Sequence, residues 1–518
     1  MFTKRLRALA PDMLRSIRRG IEKESLRVRP DGRLADTPHP TGLGSPLTHP
    51  HITTDFSEAQ LELITGVHTG VADACLGELT EIHQAVYRHL GDEMLWCASM
   101  PCALPADDAI PIARYGSSNI GRAKMVYRTG LAHRYGRRMQ TISGIHYNFS
   151  LPDAVWPVLQ QADARGGPEQ AYRNDSYFSL IRNFRRHTWL LLYLFGASPA
   201  VSESFVAGRA HGLKPLAAGG RYLPAATSLR MGPLGYQSDA QASLAVSYNS
   251  LDSYAASLRE ALTAPYPRYA AMGLRDGEDY RQLGTTLLQI ENEFYGTIRP
   301  KRRTRRGERP LNALRERGVE YVEARCLDLD PFCPIGITAA TIRFLDVFLL
   351  HCLLSDSPAD SPQEIAAVAR NQHRVAERGR DPGLRLSARG SEVSPAEWGG
   401  ELLRECEPIA AALDGAHGGG AHRDALTAAR DALGDPSLAP SARMLGEMAR
   451  DYDNDYLRFV LAHSASHRRH LEGLPFPAEA AARYARLAGA SLASQRQTEA
   501  ADKVPFEVFR QQYLALPE

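Results

Sequence analysis

Carboxylates recur in pairs along segments of the sequence that alternate polar and apolar residues. In GIEKESLRV (20–28), Glu22 and Glu24 fall on one side of a predicted strand, because successive side chains of a strand point to opposite faces. Two carboxylates on one face repel each other unless a cation lies between them. The alternative is an exposed strand or helix face that carries two acids, and this segment alone does not decide between the two.

The segment HITTDFSEAQLELIT (51–65) adds two further oxygen ligands. Its pattern predicts a turn over 54–57 and then a strand, with Leu61 and Leu63 on one side and Glu62 on the other. Asp55 and Glu62 are therefore candidate metal ligands. Alternatively, Asp55 caps a helical turn.

An imidazole joins these acids in QTISGIHYNFS (140–150). The alternation places His146 and Asn148 on the polar side of a predicted strand, whose other side is apolar. A histidine beside an asparagine makes a reasonable ligand pair. A single histidine in such a position is more often only hydrogen-bonded.

Two later segments repeat the pattern. QIENEFYGTIRPKR (289–302) predicts a strand with an unbroken polar stripe that includes Glu291, Glu293 and Tyr295. GVEYVEARCLDLDP (318–331) predicts a strand with Glu323 and Arg325 on one face. A Glu and an Arg two positions apart are often only a surface pair of little energetic value.

Together, five such strands predict a sheet with a hydrophilic concave face. Hard oxygen ligands with one imidazole suit Mg²⁺ or Mn²⁺ better than zinc or copper. The sequence has no Walker phosphate-binding loop, no H-E-x-x-H and no G-x-S-x-G, which disfavours a Walker-type NTPase, a zincin protease and an α/β-hydrolase. The residues alone leave two classes open, a metal-dependent phosphoryl-transfer enzyme and a metal-dependent hydrolase.

Composition limits the other possibilities. The 518 residues include 61 Lys and Arg against 59 Asp and Glu, and this balance is ordinary for a globular protein and gives no reason to expect nucleic-acid binding. The basic run RPKRRTRRGER (299–309) has no interleaved aromatic residues, so a solvated or phosphate-facing loop is expected there. The longest apolar stretches, 189–197 and 344–354, are about half as long as a bilayer span, and no membrane association is expected. Seven scattered cysteines without a C-x-x-C pair predict a reducing, cytoplasmic environment.

The elements that must position these residues divide the chain near residue 356. Residues 1–355 mix short strands and helices, as expected for an α+β catalytic core that contains the cavity. Residues 356–518 are rich in Ala, Arg, Glu and Leu and predict a mainly helical region packed on that core.

Seven long motifs, in order along the chain, resemble a known family. They are GIEKESLRV, PLTHPHITTDFSEAQLELIT, MQTISGIHYNFS, YLFGASPAV, YLPAATSLRMGPLGYQS, LQIENEFYGTIRPKR and GVEYVEARCLDLDPFCPIG. The chain resembles the proteobacterial type of glutamate–cysteine ligase over nearly its whole length, densely to about residue 350. The segment GRAHGLKPLAAGGRYLP (208–224), which leads to Arg230, does not align well with that family.

The resemblance implies a fold, a reaction and a set of site residues. The fold is a glutamine-synthetase-like antiparallel sheet curved into a partial barrel, with helices around it. In the reaction, ATP phosphorylates the γ-carboxyl of glutamate, and the cysteine amine then attacks the γ-glutamyl phosphate in the first step of glutathione synthesis. The resemblance implies Mg²⁺ as the cation, with Mn²⁺ as an alternative, and glutathione as a feedback inhibitor. The implied cation ligands are Glu22, Glu24, Asp55, Glu62, His146 and Glu323. Arg325 is the implied catalytic group on the transferred phosphoryl, and the candidate substrate-binding residues are Tyr127, Arg128, Asn148, Arg230, Tyr236 and Tyr295.

Two alternatives stay open at this point. One keeps the γ-glutamyl phosphate chemistry but uses a different amine, because the matched motifs specify metals and phosphates more firmly than a cysteine pocket. The other is a non-catalytic relative that binds ligands in regulation, which the complete set of expected ligand types weakens.

Overall fold

A computed structural model describes residues 1–235, 240, 244, 246–305 and 307–516. The strands are β1 (Arg18–Val28), β2 (Ile52–Thr54), β3 (Gln60–Ile64), β4 (Met94–Leu95), β5 (Ile145–Ser150), β6 (Ala200–Ser202), β7 (Lys214–Pro215), β8 (Gly220–Tyr222), β9 (Arg275–Asp276), β10 (Asp279–Tyr280), β11 (Ile298–Lys301), β12 (Tyr321–Leu327), β13 (Leu386–Ala388) and β14 (Ser391–Val393). Within these residues, seven strands form one antiparallel sheet in the order β11-β12-β5-β1-β3-β2, and β4 also pairs with β1. The order begins and ends on edge strands, so the sheet is not closed into a barrel.

Helices surround this sheet. They are α1 (Phe2–Ala8), α2 (Pro11–Arg15), α3 (Ala72–Tyr87), α4 (Asn119–Tyr135), α5 (Val155–Ala162), α6 (Glu169–Phe195), α7 (Glu203–Val206), α8 (Leu251–Thr263), α9 (Pro267–Met272), α10 (Pro310–Arg317), α11 (Ala339–Leu354), α12 (Pro362–Arg378), α13 (Pro395–His417), α14 (Ala421–Gly434), α15 (Pro440–Asp451), α16 (Tyr456–Gly473), α17 (Ala478–Ala501) and α18 (Phe506–Leu514). The architecture is therefore mixed α and β, as the sequence predicts.

The strand register places the predicted polar residues side by side. Glu22 of β1 pairs with His146 of β5, and Glu24 pairs with Glu62 of β3. Glu323 of β12 pairs with Asn148 of β5. Because the side-chain period of a strand is two, one face of the sheet carries acids and imidazole, while Ile145, Tyr147 and Val322 point to the other.

The apolar face packs against helices α6 and α11, which also pack on each other. Asp346, the acid that interrupts the apolar stretch of α11, forms a buried ion pair with Arg19 of β1 at 2.8 Å. Its second oxygen accepts a hydrogen bond of 2.7 Å from the hydroxyl of Tyr147 on β5. Removing one partner of such a buried pair costs about 3–5 kcal/mol, so this contact fixes β1 and β5 relative to the helix behind them.

The prediction of a strand over 289–302 is wrong for the first half of that segment. Residues Glu291–Glu293 form a 3₁₀ turn, and the strand covers only Ile298–Lys301. Glu293 is fully buried and pairs with Arg134 at 2.8 Å, while Glu291 pairs with Arg309 at 2.7 Å. Two buried arginines have therefore overridden the alternation, and these acids anchor the neighbouring segments instead of facing the cavity.

The region after residue 356 is mainly helical, with the short hairpin β13–β14 as its strands. Helix α13 packs on α14, α2 and α11. The last turn of α17 and the segment after it reach back to the start of α4: Glu499 accepts from the backbone N–H of Ser117, and Asp502 accepts from that of Asn119. The amide of Asn119 also donates to the carbonyl of Val504 at 2.9 Å. Distant parts of the sequence thus hold the first turn of α4.

Two features bear on the expectations drawn from composition. All seven cysteines are free thiols. Among the described helices, none combines the length and the apolar character needed to span a membrane.

Candidate active site

Three strands bring a potential cation site together. Ligand atoms of Glu22, Glu62 and His146 lie within 4.8 Å of one another. The Nδ1 atom of His146 lies 3.3 Å from Glu22 and 3.5 Å from Glu323, and its Nε2 atom lies 3.6 Å from Glu24. One imidazole therefore contacts three of the predicted acidic ligands.

Two carboxylates of this cluster, Glu24 and Glu62, are buried beside other acids, and this environment disfavours their charged forms. Burial and the neighbouring Asp55 raise the pKa of Glu24 to about 8. Burial and the charge of Glu22 raise the pKa of Glu62 well above its ordinary range. Such groups bind either protons or a cation at neutral pH, and oxygen ligands with one imidazole fit Mg²⁺ or Mn²⁺.

Cations of the protein balance the other side of the cluster. Glu323 is fully buried, lies 2.7 Å from Arg325 Nη1 and lies 3.2 Å from Lys301 Nζ. Burial opposes its charge, but Arg325 and Lys301 lower the pKa of Glu323 well below its usual range. The amide of Asn148 donates to Glu22 at 2.9 Å. Asn148 thus orients a cluster carboxylate in this structure, and its expected contact with a substrate stays a prediction.

Asp55 lies on the turn between β2 and β3, and its side chain lines the same cavity. Its backbone carbonyl accepts hydrogen bonds from Arg128 Nε and from the hydroxyl of Tyr115. The turn is closed by a hydrogen bond of 3.0 Å, which the backbone N–H of Asp55 donates to the carbonyl of Gln60. Asp55 is thus near the cluster but outside its tightest group of three ligands.

The acidic face forms the floor of a cavity of about 490 Å³. Tyr127, Arg128, Arg230 and Tyr295 line it, as do Arg325 and the acidic cluster. The hydroxyl of Tyr295 accepts a hydrogen bond of 2.9 Å from Gln140. The structure therefore gathers these predicted substrate-binding side chains in one cavity, and Tyr236 lies outside the described residues.

Two local structures position the cavity walls. Helix α4 carries Tyr127 and Arg128; the side chain of Ser118 accepts from Gly121 at its start, and Gly136 ends it with a positive φ of 82°. Arg230 lies on a 3₁₀ turn that follows the small sheet β6-β8-β7. The poorly aligned 208–224 segment contributes strands β7 and β8 to that sheet. The Nη2 atom of Arg230 donates a hydrogen bond of 2.8 Å to the backbone carbonyl of Arg325, so Arg230 is linked directly to β12.

Sequence reasoning missed several lining residues. Lys301 follows Arg299 at the strand period of two, and this spacing was a usable signal for a cation beside Glu323. Lys124 precedes Arg128 by one helical turn, which predicts that both side chains share a face of α4. Gln140 gave no comparable signal, because it lies in a short 3₁₀ turn.

Comparisons with known proteins agree with this geometry. A protein-family model described as glutamate-cysteine ligase matches residues 5–375. A glutamate–cysteine ligase of Pseudomonas entomophila (strain L48) is 50% identical over 504 residues, which cover 97% of this chain and 95% of that protein. One from Azotobacter vinelandii is 50% identical and covers 99% of this chain and 98% of its own.

Solved structures show the same likeness. A crystal structure of glutamate–cysteine ligase from Francisella tularensis in complex with AMP superimposes with a TM-score of 0.90 at 38% identity, covering 96% of this chain and 97% of that one. A bifunctional glutathione synthetase from Pasteurella multocida gives a TM-score of 0.70 at 26% identity, covering 89% of this chain and 53% of that one.

Proposed function

Because the chain belongs to the glutamate–cysteine ligase family, we propose that its acidic cavity is the site of the family reaction. In that reaction, ATP drives the joining of the γ-carboxyl of L-glutamate to the amine of L-cysteine, the first step of glutathione synthesis. The observation that carries this assignment is the convergence of β1, β3, β5 and β12 on one cluster of carboxylates, imidazole and guanidinium.

The cluster is the proposed binding site for Mg²⁺, with Mn²⁺ as an alternative. The proposed ligands are Glu22, Glu24, Asp55, Glu62, His146 and Glu323. The crowding of buried carboxylates supports this ligand set, because burial and the neighbouring acids raise the pKa of Glu24 and Glu62. When bound, the cations neutralise the phosphates of ATP.

Arg325 is the proposed group on the transferred phosphoryl. Its Nη1 is held by Glu323, while its Nε and Nη2 have no hydrogen-bond partner in the described part of the chain. That leaves one edge of the guanidinium for the phosphoryl oxygens, in the planar geometry that arginine offers. Lys301, held against the same Glu323, adds a second positive charge on that side.

The chain's residues then act on two bond-forming steps. A γ-carboxylate oxygen of glutamate attacks the γ-phosphorus of ATP and ADP leaves, giving γ-glutamyl phosphate. The cysteine amine attacks the acyl carbon, phosphate leaves, and the amide forms with loss of a proton. The proposed walls that orient the amino acids are Tyr127, Arg128, Arg230, Tyr236 and Tyr295, and Asn148 contributes by orienting Glu22.

Three finer expectations join this proposal. The open antiparallel sheet is proposed to be of the glutamine-synthetase-like type. Glutathione is proposed to act as a feedback inhibitor, because its γ-glutamyl part matches the substrate. The cytoplasmic location expected from the cysteine usage stays a prediction.

The test is product identification. The protein is incubated with ATP, glutamate, cysteine and Mg²⁺, and the products are measured by mass spectrometry together with ADP release. We expect γ-glutamylcysteine and ADP in equal amounts, with no turnover when cysteine is omitted. ADP release only with another amine, or no ADP release, contradicts the assignment.

A further inference from the structure

Asp328 is a buried acid behind the cavity wall that the proposed reaction does not use. It belongs to the segment GVEYVEARCLDLDP, whose Glu323 and Arg325 have proposed roles in the site. The side chain of Asp328 is fully buried, and its Oδ1 atom lies 3.7 Å from Nη1 of Arg230. Burial raises the pKa of Asp328, and the charge of Arg230 opposes this rise. The acid therefore faces a cation that lines the cavity.

Two hydrogen bonds fix the carboxylate of Asp328. Its Oδ2 atom accepts a hydrogen bond of 2.9 Å from the backbone N–H of Ala197, and Oδ1 accepts one of 3.0 Å from the hydroxyl of Ser228. The carboxylate cannot turn away from Arg230 without breaking these bonds, and a buried polar group that loses its partner is costly.

Ser228 connects Asp328 to the backbone of the turn that carries Arg230. This 3₁₀ turn covers Leu229–Met231, and the side-chain oxygen of Ser228 accepts a hydrogen bond of 3.3 Å from the backbone N–H of Met231. The same hydroxyl donates its proton to Asp328. Asp328 thus acts on Arg230 in two ways, on the guanidinium by its charge and on the backbone through Ser228.

The guanidinium of Arg230 has little room to move. Its Nη2 atom donates to the carbonyl of Arg325 at 2.8 Å, and its Nη1 atom lies 3.3 Å from the sulfur of Met231. The backbone of Gly144 passes so close that a Cβ atom there would lie 2.1 Å from Nη2. The N–H of Gly144 in turn donates to Glu24 at 2.8 Å. A displacement of Arg230 therefore disturbs contacts with both β12 and the backbone that holds Glu24.

We propose that Asp328 is a positioning residue, which holds the guanidinium of Arg230 towards the glutamate substrate. Arg230 contacts β12 at Arg325, the residue proposed to bind the transferred phosphoryl, and glutamate is the substrate whose carboxyl receives that group. This inference rests on the proposed function. Asp328 acts through Arg230, because it is not itself among the residues that line the cavity.

The experiment compares Asp328→Asn with the unchanged protein in steady-state kinetics for each substrate. The substitution removes the charge and keeps one oxygen that can accept from Ala197 or Ser228. KM for glutamate should rise about tenfold, a usual size for the coupling of contacting residues, while KM for ATP and cysteine stays within about threefold. Asp330→Asn is the matched control and should leave all three KM values unchanged, because Asp330 lies outside the cavity lining and accepts from the backbone N–H of Phe332 at 3.0 Å.

A double-mutant cycle with Arg230 separates positioning from a purely structural role. Arg230→Lys alone should raise KM for glutamate, and an unchanged KM in this variant overturns the inference. Adding Asp328→Asn to Arg230→Lys should change that KM by less than about twofold, because the effects of residues that act through one contact are not additive. Additive effects overturn the inference. A lower stability of Asp328→Asn in urea unfolding with unchanged KM for glutamate also overturns it, because Asp328 then supports only the fold.

If Asp328→Asn does not fold, Ser228→Ala answers the same question. This variant breaks the link between Asp328 and the turn while the charge of the acid stays in place. KM for glutamate should then rise about threefold, the usual value of one hydrogen bond, and an unchanged KM overturns the inference. Failure of the proposed function is recognised separately, because the unchanged protein then makes no γ-glutamylcysteine.

Discussion

Replacement of Arg325 tests the phosphoryl-transfer role most directly. In the structure, one Nη1 donor is used by Glu323 at 2.7 Å, while Nε and Nη2 are unbonded among the described residues. If two of these donors bind the transferred phosphoryl, each contributes about 1.5–3 kcal/mol as a hydrogen bond to a charged group. The sum, about 3–6 kcal/mol, corresponds to a loss of about 10²- to 10⁴-fold in rate.

Arg325→Ala should therefore lower kcat and kcat/KM together by that factor, because the lost contacts belong to the transition state. Arg325→Lys should recover only part of the loss, since a lysine keeps the charge without the planar fork. The fold should persist in both variants, because Glu323 keeps Lys301 at 3.2 Å as a partner.

Steady-state kinetics with saturating glutamate and cysteine provide the assay. Arg374→Lys is the matched control, because Arg374 forms an exposed pair with Glu392 at 3.1 Å outside the cavity, and such a pair is worth less than about 1 kcal/mol. A kcat of Arg325→Ala within about threefold of the unchanged protein refutes the role, and Arg325 is then only the ion-pair partner of Glu323.

The remaining predictions concern the cation site, inhibition and pH. Turnover should require added Mg²⁺ or Mn²⁺, and full activity after exhaustive chelation contradicts this. Glu22→Gln and Glu323→Gln should each weaken binding of the metal–ATP complex, measured by titration calorimetry. Unchanged metal dependence in both variants speaks against the shared site. Glutathione should inhibit competitively with glutamate in initial-rate assays, and inhibition that saturating glutamate does not relieve counts against this. Buried His49 should favour loss of stability in acid. Burial lowers its folded pKa to about 4 from 6.5, so its contribution is complete above pH 6.5 and is lost at about 1.4 kcal/mol per pH unit as the pH falls towards 4. Urea unfolding at several pH values measures how steeply the free energy of unfolding changes with pH, and this dependence should be smaller by that amount in His49→Asn. The asparagine amide oxygen can accept from the backbone N–H groups of His51 and Ile52, as Nδ1 does now. An unchanged pH dependence argues against a buried neutral imidazole.

The alternating segments were predictable because local periodicity decides which face a strand side chain occupies. Glu22, Glu62, His146 and Glu323 needed no knowledge of distant contacts to be placed on polar faces, and pairing of the strands then brought them together. The roles of these residues rest on the family resemblance and remain proposals.

Long-range contacts were the part that sequence reasoning could not supply. Glu293 sits in an alternating segment, yet Arg134, 159 positions away, draws it into a buried pair. Asp346 interrupts an apolar run for a reason visible only in three dimensions, namely its contacts with Arg19 and Tyr147. In such cases tertiary partners override the local pattern, and no window of neighbouring residues contains the information.

The contacts of Glu499 and Asp502 with the backbone of the first turn of α4, called the clasp below, have a consequence for how the protein is made. Asp502 binds the backbone of Asn119 although it is 383 positions later in the sequence, so the ribosome must translate almost four hundred further codons before the clasp can close. The nascent chain contains every proposed cation ligand once Glu323 has been translated, while the start of α4 stays unsecured until Glu499 and Asp502 follow. A ribosome-bound chain halted after residue 323 and before residue 499 should therefore contain the whole set of proposed cation ligands while the first turn of α4 is still unsecured.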